Sequence, residues 1–558
     1  MKMRVAHAKR RYKNKVYSTP LVVTSYRDEK GIARNKTLAN LSKLPDFIVR
    51  LVEEGLKSGD TDLLDQYVRV TDVTADETIE VGPAFVVLSI LEQLGIYEQI
   101  SEHLPPKQTA AVLSILVERV TSGKPLSVMA QQRVFPEEGL AFLLNMDQSP
   151  ALNTWYAALA RLEKNREAIL KNLFDRNQVA TEVFLYDITS SYFEGDSCPL
   201  GAYGYNRDGK KGKKQVVIGA ICDEEGCPIW VDVFKGNTSD QDTVRQELLT
   251  LKEKLGVQKF TFVGDRGMIT NARIEELEQE GWWESFQYIT ALKRKEMMGL
   301  IEDETHPIQL DLFDHQNLSE VCHNGERYVL CHNPMREQQD GETRERLLAK
   351  TEEKLKNIEK NVLAGRYKKR DVIAKRLHRW DNRWKMARFF DCKYDERKFQ
   401  FQRREDEIAR YKRLDGCYVI RSNVSRSDHG TSELRDRYKD LKFVEQAFRT
   451  MKTTDIQARP IRHFCEPQVR GHIFACFLAY RVIWEIRQRL APVLERDCDT
   501  QRCDAGSLAE VWRHLRKIEI VKLQANGKTY LKMTSIKAYA KRLLKMCKTP
   551  TLKQILSE

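Results

Sequence analysis

Three acidic residues stand where a carboxylate could do chemistry. Asp187 follows the apolar run Val183-Phe184-Leu185-Tyr186, Asp265 follows Phe262-Val263-Gly264, and Glu445 lies in the helical pattern Phe443-Val444-Glu445-Gln446-Ala447-Phe448-Arg449. A carboxylate closing a buried run is costly unless a cation compensates it. Two hard divalent ions, about 3.5–4 Å apart, would serve phosphoryl transfer by activating a nucleophile and stabilising the leaving oxygen, and converging carboxylates suit Mg²⁺. The plainer alternative is that each aspartate ends its strand or caps a turn.

The helical stretch bears on the choice. Read as one helix from Ser432 to Lys452 at about 100° per residue, Leu441, Val444, Phe448 and Met451 fall on one buried stripe. Tyr438, Glu445 and Lys452, spaced by sevens, line a parallel stripe, with Arg449 beside them. Glu445 then sits at the edge of the buried face, where a cleft carboxylate belongs, and Lys452 is placed to meet a phosphate. Taken alone, Glu445 and Arg449 read more simply as a surface pair four residues apart.

The surrounding elements must bring these residues together. Residues 183–187 read as a strand, 215–222 and 228–234 as an antiparallel pair, 240–255 as a helix capped by Thr238-Ser239, 259–263 as a strand, 271–280 as a helix and 287–292 as a strand. That order is expected of an α/β RNase H-like core: a mixed five-stranded sheet with helices, carboxylates ending its first and fourth strands. Residues 293–415 interrupt it with strand-like segments near 308–312 and 328–330, charged helices over 342–362 and 370–387, and alternation over 389–401. Their number implies an inserted subdomain rather than a loop. Strand pattern returns at 416–421, and an apolar helix spans 469–490. Upstream, residues 17–26 and 33–38 read as a hairpin about Asp28-Glu29-Lys30-Gly31, and 46–174 as helical. Asn526-Gly527 marks a hairpin near the end, and Asn324-Gly325 another, which would bring Cys322-His323 and Cys331-His332 together. A turn explains that pair better than a zinc site.

Composition narrows the partners. The 558 residues carry 93 Lys and Arg against 80 Asp and Glu, a net charge of +13, and residues 1–40 hold eleven of the bases against only Asp28 and Glu29. Such a block suits a polyanion, although a soluble basic tail would look the same. No run approaches the ~18–20 apolar residues of a membrane span, and no signal-peptide pattern follows the basic start. Twelve cysteines without C-x-x-C spacing fit reduced thiols in a cytoplasm. Among further candidates, residues 203–214 (YGYNRDGKKGKK) could track a DNA backbone or be a solvated loop. Trp380 and Trp384, among Arg376, Arg379 and Arg383, could stack on an unpaired base or simply pack on the core. Asp196, Asp232, Asp240 and Asp242 occupy positions less suited to a cleft.

Taken together, Leu185-Tyr186-Asp187-Ile188-Thr189-Ser190-Ser191-Tyr192-Phe193, Gly204-Tyr205-Asn206-Arg207-Asp208-Gly209-Lys210, Phe262-Val263-Gly264-Asp265-Arg266-Gly267-Met268 and the 443–449 segment resemble the insertion-sequence DDE transposases of the IS-four type. The resemblance covers about residues 181–485, and more loosely 25–29 and 39–41. It implies an RNase H-like fold with a β-rich insertion before the glutamate, and Asp187, Asp265 and Glu445 as the catalytic, metal-holding triad. Tyr438, Glu445 and Lys452 match three places of the family's Tyr-Arg-Glu-Lys helix signature. Leu441 stands where the signature has Arg, leaving Arg449 or Arg266 to grip the terminal phosphate. DNA contacts are expected from Tyr438, Lys452, Arg449, Arg266, Arg207, Lys210 and Lys211.

The expected organisation is a basic arm and hairpin contacting DNA over 1–45, a helical DNA-binding domain over 46–180, the catalytic core over 181–295 and 416–490, an insertion over 296–415, and a C-terminal region over 491–558 with a hairpin and a role in self-association. The resemblance implies cut-and-paste transposition with Mg²⁺, Mn²⁺ substituting. Double-stranded DNA (element ends and target) and a second copy in a synaptic homodimer are the expected partners, in a nucleoid-associated cytoplasmic setting. A DNA-binding relative without activity, or another RNase H-like nuclease, is the alternative. If the N-terminal block grips phosphates, deleting residues 1–40 flattens the slope of log affinity against log salt, measured on duplex DNA; an unchanged slope moves the contact elsewhere.

Overall fold

The basic N-terminal block is built into a sheet instead of extending as an arm. Strand β1 (Met3–Tyr12) pairs antiparallel with β2 (Lys15–Arg27), which pairs on its other side with β3 (Ala33–Asn40). Between β2 and β3, Asp28 accepts hydrogen bonds from the backbone of Lys30 and Ile32 and from Arg34, and Gly31 takes a left-handed φ of +76°. That is the hairpin its turn residues specify. Nothing in the charged pattern of β1 marks it as a strand, but charged side chains are what an edge strand carries. Arg4, Lys9, Arg10, Arg11, Arg34 and Lys36 are all exposed on this sheet.

The computed structural model describes residues 3–12, 15–58, 73–176, 182–266, 268–279, 286–302, 317–384, 386–395, 398–454, 456–494, 507–525 and 528–551. The chain forms two units, one of residues 1–82, 516–537 and 552–558, the other of 83–515 and 538–551. In the first, the helix Asp46–Ser58 packs against β1. A helical reading of everything from 46 to 174 fails at β4 (Thr74–Glu80). Its partner strand lies more than 400 residues away, so no local pattern could announce it.

In the second unit, the helices Pro106–Thr121 and Leu152–Lys164 pack against the long helix Glu466–Leu494. The helices from residue 83 to 176 therefore share a unit with the sheet instead of standing apart from it. Gly471 shows how close the packing is, because a Cβ there would lie 2.0 Å from the Leu159 carbonyl oxygen. Any larger residue would force the two helices apart.

The sheet of this unit has eight strands, three more than expected. It comprises β5 (Val183–Tyr192), β6 (Gln215–Asp223), β7 (Pro228–Lys235), β8 (Phe260–Gly264), β9 (Phe286–Ala291), β10 (Leu318–His323), β11 (Glu326–His332) and, after the small antiparallel pair β12 (Phe390–Tyr394) and β13 (Phe399–Arg403), β14 (Cys417–Ser422). The order is β10-β11-β14-β9-β8-β5-β6-β7, with β5, β8 and β9 parallel and every other neighbour antiparallel. Burial on both faces explains the nearly unbroken apolar runs of β6 and β8.

The extra strands come from the insertion and its return. Asn324 and Gly325, at φ of +50° and +78°, close the β10–β11 hairpin. Its register sets Cys322 opposite Arg327 and Cys331 opposite Leu318, so the two Cys-His pairs do not face one another. Beyond the hairpin, the helices Pro334–Leu363 and Arg370–Trp384 and the β12–β13 pair surround a core of their own, including Leu348, Leu355, Ile358, Ile373, Phe389, Phe390 and Phe399. The strand expected near 308–312 and the side chains of Trp380 and Trp384 lie outside the described residues. Finally β15 (Glu519–Ala525) pairs with β16 (Lys528–Met533) and, with Ile520 opposite Ile79, with β4. The Asn526-Gly527 turn lies outside the described residues. Among those described, no helix is long and apolar enough to cross a membrane.

A buried charge cluster fastens the helix Arg166–Arg176 to the sheet. Arg166 pairs with Asp232 at 2.7 Å and donates to the Val231 carbonyl at 2.6 Å, while Trp230 Nε1 donates to Asp232 Oδ2 at 2.8 Å. Glu247 lies fully buried nearby; burial first, and the negative Asp232 second, hold its carboxyl well above the usual range. Arg166 is thus the cation that makes this burial tolerable. Replacing it (Arg166→Met) strands Asp232 and should cost about 3–5 kcal/mol of unfolding free energy in denaturant titration.

Candidate active site

Strand register brings the two aspartates side by side. Strands β5 and β8 run parallel with Tyr186 opposite Gly264, so the next residue on each is Asp187 and Asp265. Neighbouring strands lie about 4.8 Å apart. Asp265 stands just past the end of β8 as expected, but Asp187 does not end its strand: β5 continues to Tyr192. The continuation is polar in sequence yet buried, because Thr189, Ser190 and Ser191 are covered while β6 satisfies their backbone. Hydroxyls of this size fit there without carrying charge into the interior.

Glu445 arrives from a helix that is not the single rod expected. The chain forms Thr431–Lys439, breaks at Asp440, resumes over Leu441–Arg449 and widens into a π-helical turn over Thr450–Thr454. Leu441, Val444, Ala447, Phe448 and Met451 are buried, with Glu445 and Arg449 exposed on the other side. The second segment packs against β5 and β6. Two contacts from the β6–β7 turn bear on this region: Gly226, at φ +82°, lies so close to Phe443 that a Cβ would come within 2.6 Å of Phe443 Cβ, and Glu224 pairs with Arg437 at 2.6 Å. Leu441, which stands where the signature has Arg, belongs to this buried face.

Electrostatics register the convergence. The Asp187 carboxyl is pushed up to about 7, first by burial and then by the negative charges of Asp265 and Glu445, against the lowering effects of the Ile188 backbone N–H and Arg207. Tyr438 donates from its hydroxyl to Asp265 Oδ1 at 3.2 Å and is itself pushed up to about 12, mainly by burial and next by Asp265. Arg266, exposed beside Asp265, also hydrogen-bonds with Tyr438. No three His, Cys, Asp or Glu side chains among the described residues are gathered tightly enough to enclose a metal ion. Asp187 and Asp265 stand on adjacent strands and Glu445 lies near enough to act on the Asp187 carboxyl, without a preformed cage.

The remaining candidates are placed as follows. Lys452 is turned inward by the π-turn, donating to Thr189 Oγ1 at 2.8 Å and pairing with Asp208 Oδ1 at 2.6 Å. Arg207 pairs with Asp240 at 2.7 Å and lies over the Tyr205 ring, while its backbone N–H donates to Ser190 Oγ at 3.1 Å. Lys210 sits over the Tyr192 ring and Lys211 is exposed. Asp232 belongs to the Arg166 cluster, Asp240 to Arg207, and Asp242 accepts from the capping Ser239; Asp196 is exposed. Sequence reasoning missed Asp208 and Arg459, which form an ion pair, Arg459 Nη1 donating to Asp208 Oδ1. Asp208 lay within a motif already singled out; Arg459 carried no signal beyond its charge.

Comparison with curated proteins finds no match. Among solved structures, the piggyBac transposase synaptic complex with hairpin DNA aligns with 10% identity over 85% of this chain and 81% of that one, at a TM-score of 0.35. The Mos1 transposase paired-end complex with left transposon end aligns with 16% identity over 44% of this chain and 68% of that one, at 0.14. Scores this low carry no argument about the fold. The family model described as "Transposase DDE domain" matches residues 180–482, more than half of the chain and the whole stretch holding Asp187, Asp265 and Glu445. On that match the chain belongs to the DDE transposase family.

Proposed function

We propose that the chain is the transposase of an insertion sequence of the IS-four type, cleaving the element's ends and joining them to target DNA by metal-dependent phosphoryl transfer. The observation that carries this reading is the approach of Asp187, Asp265 and Glu445 from two adjacent parallel strands and one helix. The five strands β7-β6-β5-β8-β9, three antiparallel followed by two parallel, support an RNase H-like core.

Divalent metal fits the donor chemistry. Asp265 and Glu445 add to the cost of ionising Asp187, and a hard dication such as Mg²⁺, or Mn²⁺ in its place, relieves that cost. Asp187, Asp265 and Glu445 would hold it, and its chemistry is to activate the attacking oxygen and stabilise the leaving one. The protein's own groups do the rest. Tyr438 fixes the Asp265 carboxylate by hydrogen bonding, and Arg266 and Arg449 present exposed cations where a phosphodiester would arrive. Arg207, Lys210 and Lys211 line the glycine-rich loop leading into β6, and the exposed bases of β1–β3 supply further DNA contact. Bringing two ends together calls for a homodimer.

The test is cleavage of duplex DNA carrying the inverted repeats that flank the gene. With Mg²⁺ present, Asp187→Ala, Asp265→Ala and Glu445→Ala each reduce strand cleavage to background while end binding stays nearly intact; cleavage retained by any variant excludes that residue. The convergence has its own check. In the metal-free protein, Asp265→Asn or Glu445→Gln lowers the Asp187 carboxyl from about 7, read by carbon NMR with labelled aspartate. An unmoved titration means the three groups are not neighbours.

A further inference from the structure

Asp208 is a deeply buried charge near this site. Its side chain is 1% exposed, and its Oδ1 is shared by two cations, Lys452 Nζ at 2.6 Å and Arg459 Nη1. Its Oδ2 is buried with no hydrogen-bond partner among the described residues. A carboxylate buried with one oxygen unsatisfied costs roughly 1–3 kcal/mol, so its retention calls for a reason.

The connections supply one. Asp208 belongs to the 203–214 loop, in which Asn206 Oδ1 accepts from the backbone of Asp208 and Lys210, and the Arg207 backbone donates to Ser190 on β5. Lys452 lies in the π-turn that continues the Glu445 helix and reaches Thr189 Oγ1. Thr189 is two residues beyond Asp187 on β5, hence on the same face. One carboxylate therefore ties together the loop, the strand bearing Asp187 and the helix bearing Glu445. Without its charge, Lys452 and Arg459 are two like charges in a half-buried space, and each is driven toward water.

We propose that Asp208 is a positioning residue, which holds Lys452 and Arg459 so that the Glu445 helix stays seated against β5 with its carboxylate toward Asp187. It acts through Lys452 and touches neither metal nor DNA. The inference rests on the proposed triad, and it predicts a loss in metal use rather than in DNA affinity.

The experiment compares wild type, Asp208→Asn, Asp208→Glu, Lys452→Met and the Asp208→Asn/Lys452→Met double variant in single-turnover end cleavage across a Mg²⁺ titration. Asp208→Asn keeps shape and removes charge. It should lower the cleavage rate or raise the Mg²⁺ half-saturation by about 10–100-fold, as loss of a supporting partner behind metal ligands does, with end affinity little changed. Asp208→Glu should recover part of the loss, and the double variant should be no worse than the poorer single variant, the mark of groups acting as one unit. Hydrogen exchange, read without DNA or metal, should rise together in residues 203–214 and 441–449 of Asp208→Asn. An unchanged Mg²⁺ curve with an active wild type, additive losses, or exchange rising in the loop alone would overturn the proposal. If wild type itself does not cut, the transposition reading fails, and the exchange measurement still decides the role of Asp208.

Discussion

Everything at the centre of this protein depends on one pairing, the parallel register of β5 and β8 with Tyr186 against Gly264. It puts two carboxylates one strand apart, an arrangement that repels itself and persists only because the rest of the sheet enforces it. Most of the residues flanking them are buried aromatic or aliphatic side chains, Phe184, Leu185, Tyr186, Phe262 and Val263. That packing fixes the backbone, so the charges cannot separate by local adjustment. Mutual repulsion is then left to be answered by protons or cations.

The parts of this arrangement written into short stretches of sequence were legible. Compact apolar runs ending in a carboxylate mark β5 and β8, Asp28-Glu29-Lys30-Gly31 marks its turn, and the spacing of Leu441, Val444, Phe448 and Met451 marks a buried helix face. What could not be read locally were features created by distant partners. Strand β4 has no apolar periodicity and exists because β15 pairs with it. Strand β5 extends past Asp187 because β6 covers its hydroxyl-bearing half. The helix break at Asp440 and the π-turn at Thr450–Thr454 respond to packing, and an ideal 3.6-residue projection is blind to both.

Charge shows the same contrast between counting and placement. Counting bases in residues 1–40 pointed to a cationic block that is exposed in the structure, but not to β1, which adds a third strand to the expected hairpin. Within the larger unit, Arg166 with Asp232, and Asp208 with Lys452 and Arg459, stand far apart in sequence and are joined only by folding. Each fastens a helix or loop to the sheet where apolar packing alone would leave freedom to slide.

The insertion bears on how such a chain can vary. Its first two strands, β10 and β11, are not appended to the large sheet but complete it, lying against β14, which in turn covers β9. Trimming the insertion back to a short linker would leave β14 with a bare row of amides and carbonyls, ready to recruit a foreign strand. The helices and the β12–β13 pair beyond have their own apolar centre and, among the described residues, share no backbone–backbone hydrogen bonds with the strands of the sheet. Relatives can therefore be expected to lengthen, shorten or replace that outer part freely, while the hairpin at its root is kept as a structural lip.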